Sequence, residues 1–222
     1  MYVRRVMAVA WLVGLMHAMS LCPVAADAKL AENAEAFIVR LGDEAISKLT
    51  DKKITIDEQE QRFRSIVQEY VAFNTIARWV LGGRYWKVAS EAQQNRYLKL
   101  FEDLMVATYA HRFQNYSGEK MIVNATRIID DTQAMVQTAL HRPNADKPLQ
   151  VDWRVRETEG RLRVIDIMVE GLSMAQSQRS EFSSVLRENG GSIDALMDTL
   201  ESRLDAVRSE RSKSVDEAAR KS

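Results

Sequence analysis

The chain has 222 residues, 31 basic against 31 acidic, and a single cysteine. That length favours one domain, and the zero net charge argues against an electrostatic grip on nucleic acid as the default function. Methionine is frequent, ten residues in all, which suits permissive apolar surfaces.

The N-terminus reads as an export signal. Arg4 and Arg5 precede an apolar run from Val6 to Leu21, too short with these flanks for a comfortable membrane span. Val24-Ala25-Ala26 offers small residues for cleavage after Ala26, and Ala26-Asp27-Ala28 is a second choice. Cys22 lies within the piece to be removed. Leu21 stands where a lipoprotein box wants a small residue, which disfavours a lipid anchor. The remaining chain has no cysteine and tolerates an oxidising compartment without disulfides. Removal of Arg4 and Arg5 takes the basic count from 31 to 29 against 31 acidic residues, a net charge of −2.

Residues 29–49 predict a helix with apolar positions Ala34, Phe37, Ile38, Leu41, Ala45, Ile46 and Leu49. A polar loop follows, and Thr55 with Glu58 forms a cap for the next helix. The stretch Phe63–Tyr116 predicts two long striped helices. The first carries Phe63, Ile66, Val67, Tyr70, Phe73, Ile76, Ala77 and Val80, the i, i+3, i+4, i+7 spacing of one buried face. Gly82-Gly83 stops it, and Leu81–Ser90 is read as a link. Ser90 with Gln93 starts the second helix as a capping box. Its stripe is Tyr97, Leu100, Phe101, Leu104, Met105, Thr108, Tyr109, Phe113 and Tyr116. Two such faces need a third surface to pack on, or something apolar to hold between them.

From Lys120 the period changes to two. Met121–Ile129, Ala134–Arg142, Leu149–Thr158 and Arg161–Glu170 predict four strands, sequential and shortly linked, hence an antiparallel meander. With Glu159-Gly160 as the last turn, Val155 faces Val164, Trp153 faces Asp166 and Val151 faces Met168. Leu149, Val151, Trp153, Val155, Leu162, Val164 and Met168 then form one greasy face with Asp166 in its middle. Ser173 with Gln176 caps a helix carrying Phe182, Val185 and Leu186. Ser192 starts a last helix running to Val207. Beyond Arg208 the chain reads as a frayed polar tail. The expected division is thus a signal over 1–26, one domain over 27–207 and a tail over 208–222.

Little in the sequence speaks for catalysis. His111 and His141 lie far apart in different elements and make no metal-ligand spacing. Beyond the signal the chain offers no thiol, no Gly-x-Ser-x-Gly elbow and no phosphate-cradling loop. Asp166 is the one sharp polar feature. A carboxylate on an apolar face is either paired or raised in pKa. It is thus a general acid or base in a cone-shaped pocket, or a carboxylate bonded to the backbone or to an arginine such as Arg84.

Two blocks carry a resemblance. Val80-Leu81-Gly82-Gly83-Arg84-Tyr85-Trp86-Lys87-Val88-Ala89-Ser90 with Phe101-Glu102-Asp103-Leu104-Met105-Val106-Ala107-Thr108-Tyr109-Ala110 is the first. Asp166-Ile167-Met168-Val169-Glu170-Gly171-Leu172-Ser173-Met174 with Arg179-Ser180-Glu181-Phe182 is the second. Together they resemble the MlaC, or toluene-tolerance auxiliary, family of periplasmic phospholipid-binding components of the Mla lipid-transport system. The likeness runs from about Phe63 to Leu200. Ala72 and Ile165 depart from the family pattern, where an aspartate and an aromatic are common.

The resemblance implies an α+β fold, a curved antiparallel meander of about four strands wrapped by helices, similar to the nuclear transport factor two-like architecture. It implies no enzyme activity and no cofactor, with one phospholipid as cargo. It also implies an inner-membrane ABC complex and an outer-membrane lipoprotein complex as partners. On the helices the lipid-binding positions would be Tyr70, Phe73, Ile76, Val80, Tyr85, Trp86, Phe101, Leu104, Met105 and Tyr109. On the sheet they would be Val151, Trp153, Val155, Val164 and Met168. The alternative function is an isomerase or dehydratase using Asp166.

Overall fold

A computed structural model describes residues 23–143 and 145–221. Residues 1–22 of the expected export signal over 1–26, Cys22 among them, lie outside the described residues. The cleavage point after Ala26 falls in the first turns of α1, Pro23–Leu49. This helix buries Ala34, Phe37, Ile38, Leu41 and Leu49, the spacing the sequence predicted.

The single helix expected over Phe63–Val80 is two helices, α2 (Ile56–Tyr70) and α3 (Phe73–Leu81). Thr55 caps α2 by accepting from the Glu58 amide at 3.1 Å. At Val71 the backbone becomes extended, with φ −112° and ψ 136°. Val71 makes a parallel bridge to Val164, and the Ala72 amide donates to the Val164 carbonyl at 2.9 Å. One helical hydrogen bond is exchanged for a bond to a sheet edge, so the Ala72 amide keeps a partner at the break. The expected link Leu81–Ser90 also holds a helix, α4 (Gly83–Val88). Gly82 precedes it at φ +93°, a conformation glycine adopts without Cβ strain. The capping box at Ser90 and Gln93 opens α5, Glu91–Tyr109, which tightens into a 3-10 turn over Ala110–Asn115.

The sheet is the expected meander, in order β1 (Lys120–Asp130), β2 (Gln133–His141), β3 (Leu149–Thr158), β4 (Arg161–Val169), with a two-residue fifth strand, β5 (Leu172–Ser173). All pairings are antiparallel. Glu159 and Gly160 both have positive φ, 53° and 71°, as the tightest hairpin turn with native twist requires.

The register of that hairpin departs from expectation past its first pairs. Val155 faces Val164, as predicted. Ile165 is then an extra residue, so Arg154 faces Asp166, Trp153 faces Ile167 and Val151 faces Val169. A bulge shifts side-chain parity by one. Asp166 and Met168 therefore leave the greasy face, and Ile167 joins it. Two further bulges interrupt β1, between Val123 and Ala125 and between Ile128 and Asp130.

Ser173 accepts from the Gln176 amide and opens α6, Met174–Glu188. The last helix, α7, runs over Ile193–Lys221, so the segment expected to fray after Val207 continues as helix. Arg211 in it pairs with Glu60 of α2, a long-range contact that no local pattern announces.

Two apolar clusters result. One, the sheet lobe, packs α1 and α2 on the face of β2, β3 and β4 carrying Val136, Val155 and Val164. The other, the helical lobe, gathers α3, α5, α6 and α7 around Tyr97, Phe101, Phe182, Leu196 and Leu200. The chain passes between them at Val71-Ala72. Ala72→Pro tests this seam. Proline suits φ −76° at Ala72 and the extended residue before it, but removes the donor to Val164. The urea midpoint should fall by the equivalent of about 1–2 kcal/mol. An unchanged midpoint would remove the bond from the folding energetics.

Candidate functional site

Eight of the ten candidate helical positions are brought together in the helical lobe, all but Tyr70 and Tyr109. Val80, Phe101 and Leu104 are buried there, with Phe73, Ile76, Tyr85, Trp86 and Met105 half-buried at its margin. Phe101 is the hub, 5.4 Å from Phe73, 5.9 Å from Tyr97 and 5.4 Å from Phe182, ring centre to ring centre. Tyr97 donates to the Ala77 carbonyl at 2.8 Å, and burial pushes its phenol pKa far up. Tyr109 belongs to neither cluster. It is half-buried with the Arg112 guanidinium 5.4 Å over its ring, and burial raises its pKa.

The candidate sheet positions lie in the other lobe. Val155 and Val164 are fully buried, while Trp153 is half-buried opposite Ile167. The Trp153 indole donates to Thr138 Oγ1 at 3.1 Å. Val151 is half-buried opposite Val169, and Met168, on the other face, pairs with Asp152 and Ser173. Tyr70 joins this lobe rather than the helical one, with Phe37 at 5.4 Å and its hydroxyl on Glu44. That bond raises the Tyr70 phenol above its ordinary value, while Lys48 first and Tyr70 second hold the Glu44 carboxyl low.

Asp166 is fully engaged by structure. It accepts from the Ile167 amide at 2.9 Å, the Ala175 amide at 3.1 Å and the Ser173 hydroxyl at 2.5 Å. The backbone-bonded reading of this carboxylate is the one the structure bears out, and its partner is not Arg84. It staples β4 to the start of α6.

The two lobes meet at an open cleft of about 510 Å³. Val71 of the sheet lobe and Phe73 and Leu98 of the helical lobe supply its apolar lining. Gln68, Asn74, Thr75, Lys99 and Glu102 supply polar groups. The sequence reading missed Val71 and Leu98 as lining. Leu98 is an apolar residue off the buried stripe of its helix, and that was the available signal. Beside the cleft a polar brace ties Arg64 and Gln68 of α2 to α5, and Lys99 reinforces it from within α5. Arg64 reaches Asp103 at 2.7 Å and Glu102 at 3.1 Å, Lys99 reaches Asp103 at 2.9 Å, and Gln68 donates to Glu102 at 3.0 Å. Among the described residues no group of three or more His, Cys, Asp or Glu could hold a metal ion, and no helix is long and apolar enough to cross a membrane.

These features define an α+β protein with an open antiparallel sheet and a helical lobe that meet at a partly apolar seam. The family profile described as MlaC protein matches residues 40–202, and the chain belongs to that family. A curated relative, the intermembrane phospholipid transport system binding protein MlaC of Haemophilus influenzae, is 25% identical over 162 residues, 70% of this chain and 74% of the relative. A solved structure, the phospholipid-binding protein from Ralstonia solanacearum in complex with a phospholipid, shares the fold at a TM-score of 0.71 and 22% identity. The match covers 79% of this chain and 98% of that one.

The brace gives a pH prediction. Burial raises the Asp103 pKa, but the bonds from Lys99 and Arg64 outweigh it and leave the carboxyl below its ordinary value of 3.8. A depressed folded pKa adds stability above the unfolded value and loses it as pH falls through the folded one. D103N should therefore lower the thermal midpoint at neutral pH. The two proteins should converge only below pH 3.8. A gap that persisted unchanged in strong acid would assign the effect to packing.

Proposed function

We propose that this chain is a periplasmic phospholipid shuttle that carries lipid between the inner and outer membranes and maintains outer-membrane lipid asymmetry. The observation that carries the reading is the seam, where apolar residues of both lobes line one cleft. A tail can be sheltered there once the lobes part. Family membership and the printed function of the Haemophilus relative support it. The apolar run from Val6 to Leu21 behind Arg4 and Arg5 supports export to the periplasm. Partners would be an inner-membrane ABC complex with its lipid-binding domain and an outer-membrane lipoprotein complex. We read the chain as a binder rather than an enzyme because Asp166 is bonded by three structural donors.

The energetics suit a carrier. Two tails hold roughly 30 methylenes at about 0.8 kcal/mol each on leaving water, a sum beyond the practical ceiling of about 20 kcal/mol for noncovalent binding. The working reference is the bilayer, against which tail burial in protein is nearly an even exchange. Cargo is then fully sheltered in transit and still released at a docking partner.

Native mass spectrometry of protein purified from cells should show a bound diacyl phospholipid. Leu98→Asp places a charge in the half-buried lining of the cleft, where it opposes apolar tails. Lipid occupancy should fall severalfold while the far-ultraviolet circular dichroism is retained. Full occupancy in that variant would remove the seam as the tail site.

A further inference from the structure

At the far end of α3 from the cleft, the chain gathers positive charge on aromatic rings. Arg78, Arg84 and Lys87 are exposed around the Gly82 turn, and Arg179 of α6 reaches the same turn. A Cβ on Gly82 would lie 3.8 Å from Arg179 Nη2 and 3.8 Å from Tyr85. Three of the four cations lie over rings: Arg78 on Trp86 at 4.8 Å, Arg84 on Tyr85 at 5.2 Å, and Arg179 on Trp79 at 4.7 Å. Arg179 also donates to the Trp79 carbonyl.

The segment that builds the turn brings no acid of its own to this charge. From Ala72 to Ser90 the sequence has no aspartate or glutamate. Among the described residues none of the four makes an ion pair, whereas Arg64, Arg96, Arg203 and Arg211 all do. Stacking uses the face of a guanidinium and leaves its edge N–H donors for phosphate oxygens. Beside these cations, Trp79 is 45% exposed and Val88 74% exposed. Indole and phenol rings pair an apolar body with a polar edge and settle at the level of lipid head groups.

We propose that this rim around the α3–α4 turn is a docking surface for an anionic phospholipid bilayer. Charge complementarity selects the occupant: a local excess of cations on a chain of zero net charge, interleaved with exposed apolar side chains, fits phosphates above acyl chains. The rim is separate from the cleft, and its test does not depend on the cargo reading.

The test is co-sedimentation of the protein, stripped of bound lipid, with vesicles of pure phosphatidylcholine or with a quarter phosphatidylglycerol, at low and high salt. Binding should require phosphatidylglycerol and weaken with salt. Tryptophan emission should shift to the blue on binding, and the W79F variant should lose that shift. The R78A/R84A/K87A variant should partition on the order of a hundredfold more weakly, at about fivefold per surface cation. K52A/K53A/K147A, the same charge change in exposed loops, should bind normally. Equal partition of the two triple variants would overturn the proposal, as would indifference to vesicle composition. So would absence of binding to either vesicle, which would instead give the rim to an acidic protein partner. The composition and salt series on the unaltered protein stand even if a variant fails to fold.

Discussion

The middle of β4 holds the two lobes in one molecule. Within three consecutive residues, Val164 accepts the Ala72 amide, Ile165 bulges, and Asp166 staples the start of α6. Each event depends on its neighbours. The bulge turns Asp166 off the apolar face, where an ionised carboxylate would be costly, and brings it to donors at Ser173 and Ala175. The bond at Val164 fixes where α2 ends and α3 begins. Without that edge contact the striped run from Phe63 to Val80 has no reason to interrupt its helix, and one stripe could not serve two cores.

That dependence also explains what could be read in advance. The four long strands follow from period-two patterning, and the β3–β4 turn from Glu159-Gly160, whose backbone takes positive φ at both positions. Caps at Thr55, Ser90 and Ser173 are local chemistry and fall where the sequence puts them. The break at Val71-Ala72 has no glycine or proline to mark it. It exists because a distant strand offers a carbonyl. The bulge at Ile165 is likewise unmarked, and it shifted Trp153, Asp166 and Met168 from their expected neighbours. The site suffered for the same reason. Its residues were legible as apolar, but their division between two clusters is set by the break, and Val71 and Leu98 become lining only across it.

Polar contacts between the lobes differ in kind from the apolar clusters inside them. The pairs of Arg64 with Glu102 and Asp103, and of Arg211 with Glu60, join α2 to α5 and α7. The side chains of Arg64, Glu102, Asp103, Arg211 and Glu60 stay 12–29% exposed, so water still competes for these pairs and their net contribution is modest beside apolar burial. They can open without exposing a core. Apolar burial then sets the integrity of each lobe, while weaker, directional contacts set how the lobes sit together. A protein that takes in and gives up an apolar guest at its seam is suited by that division.

The outer edge of the sheet carries a different consequence. Among the described residues β1 has no strand beyond it, and an unpaired edge is a template for addition of another chain. Its bulges leave only Lys120–Val123 and Ala125–Ile128 in continuous register with β2. Each run is shorter than the six or seven residues that in-register stacking of cross-β segments requires. The irregularities that bend this strand around the core therefore also resist fibre growth from its free side.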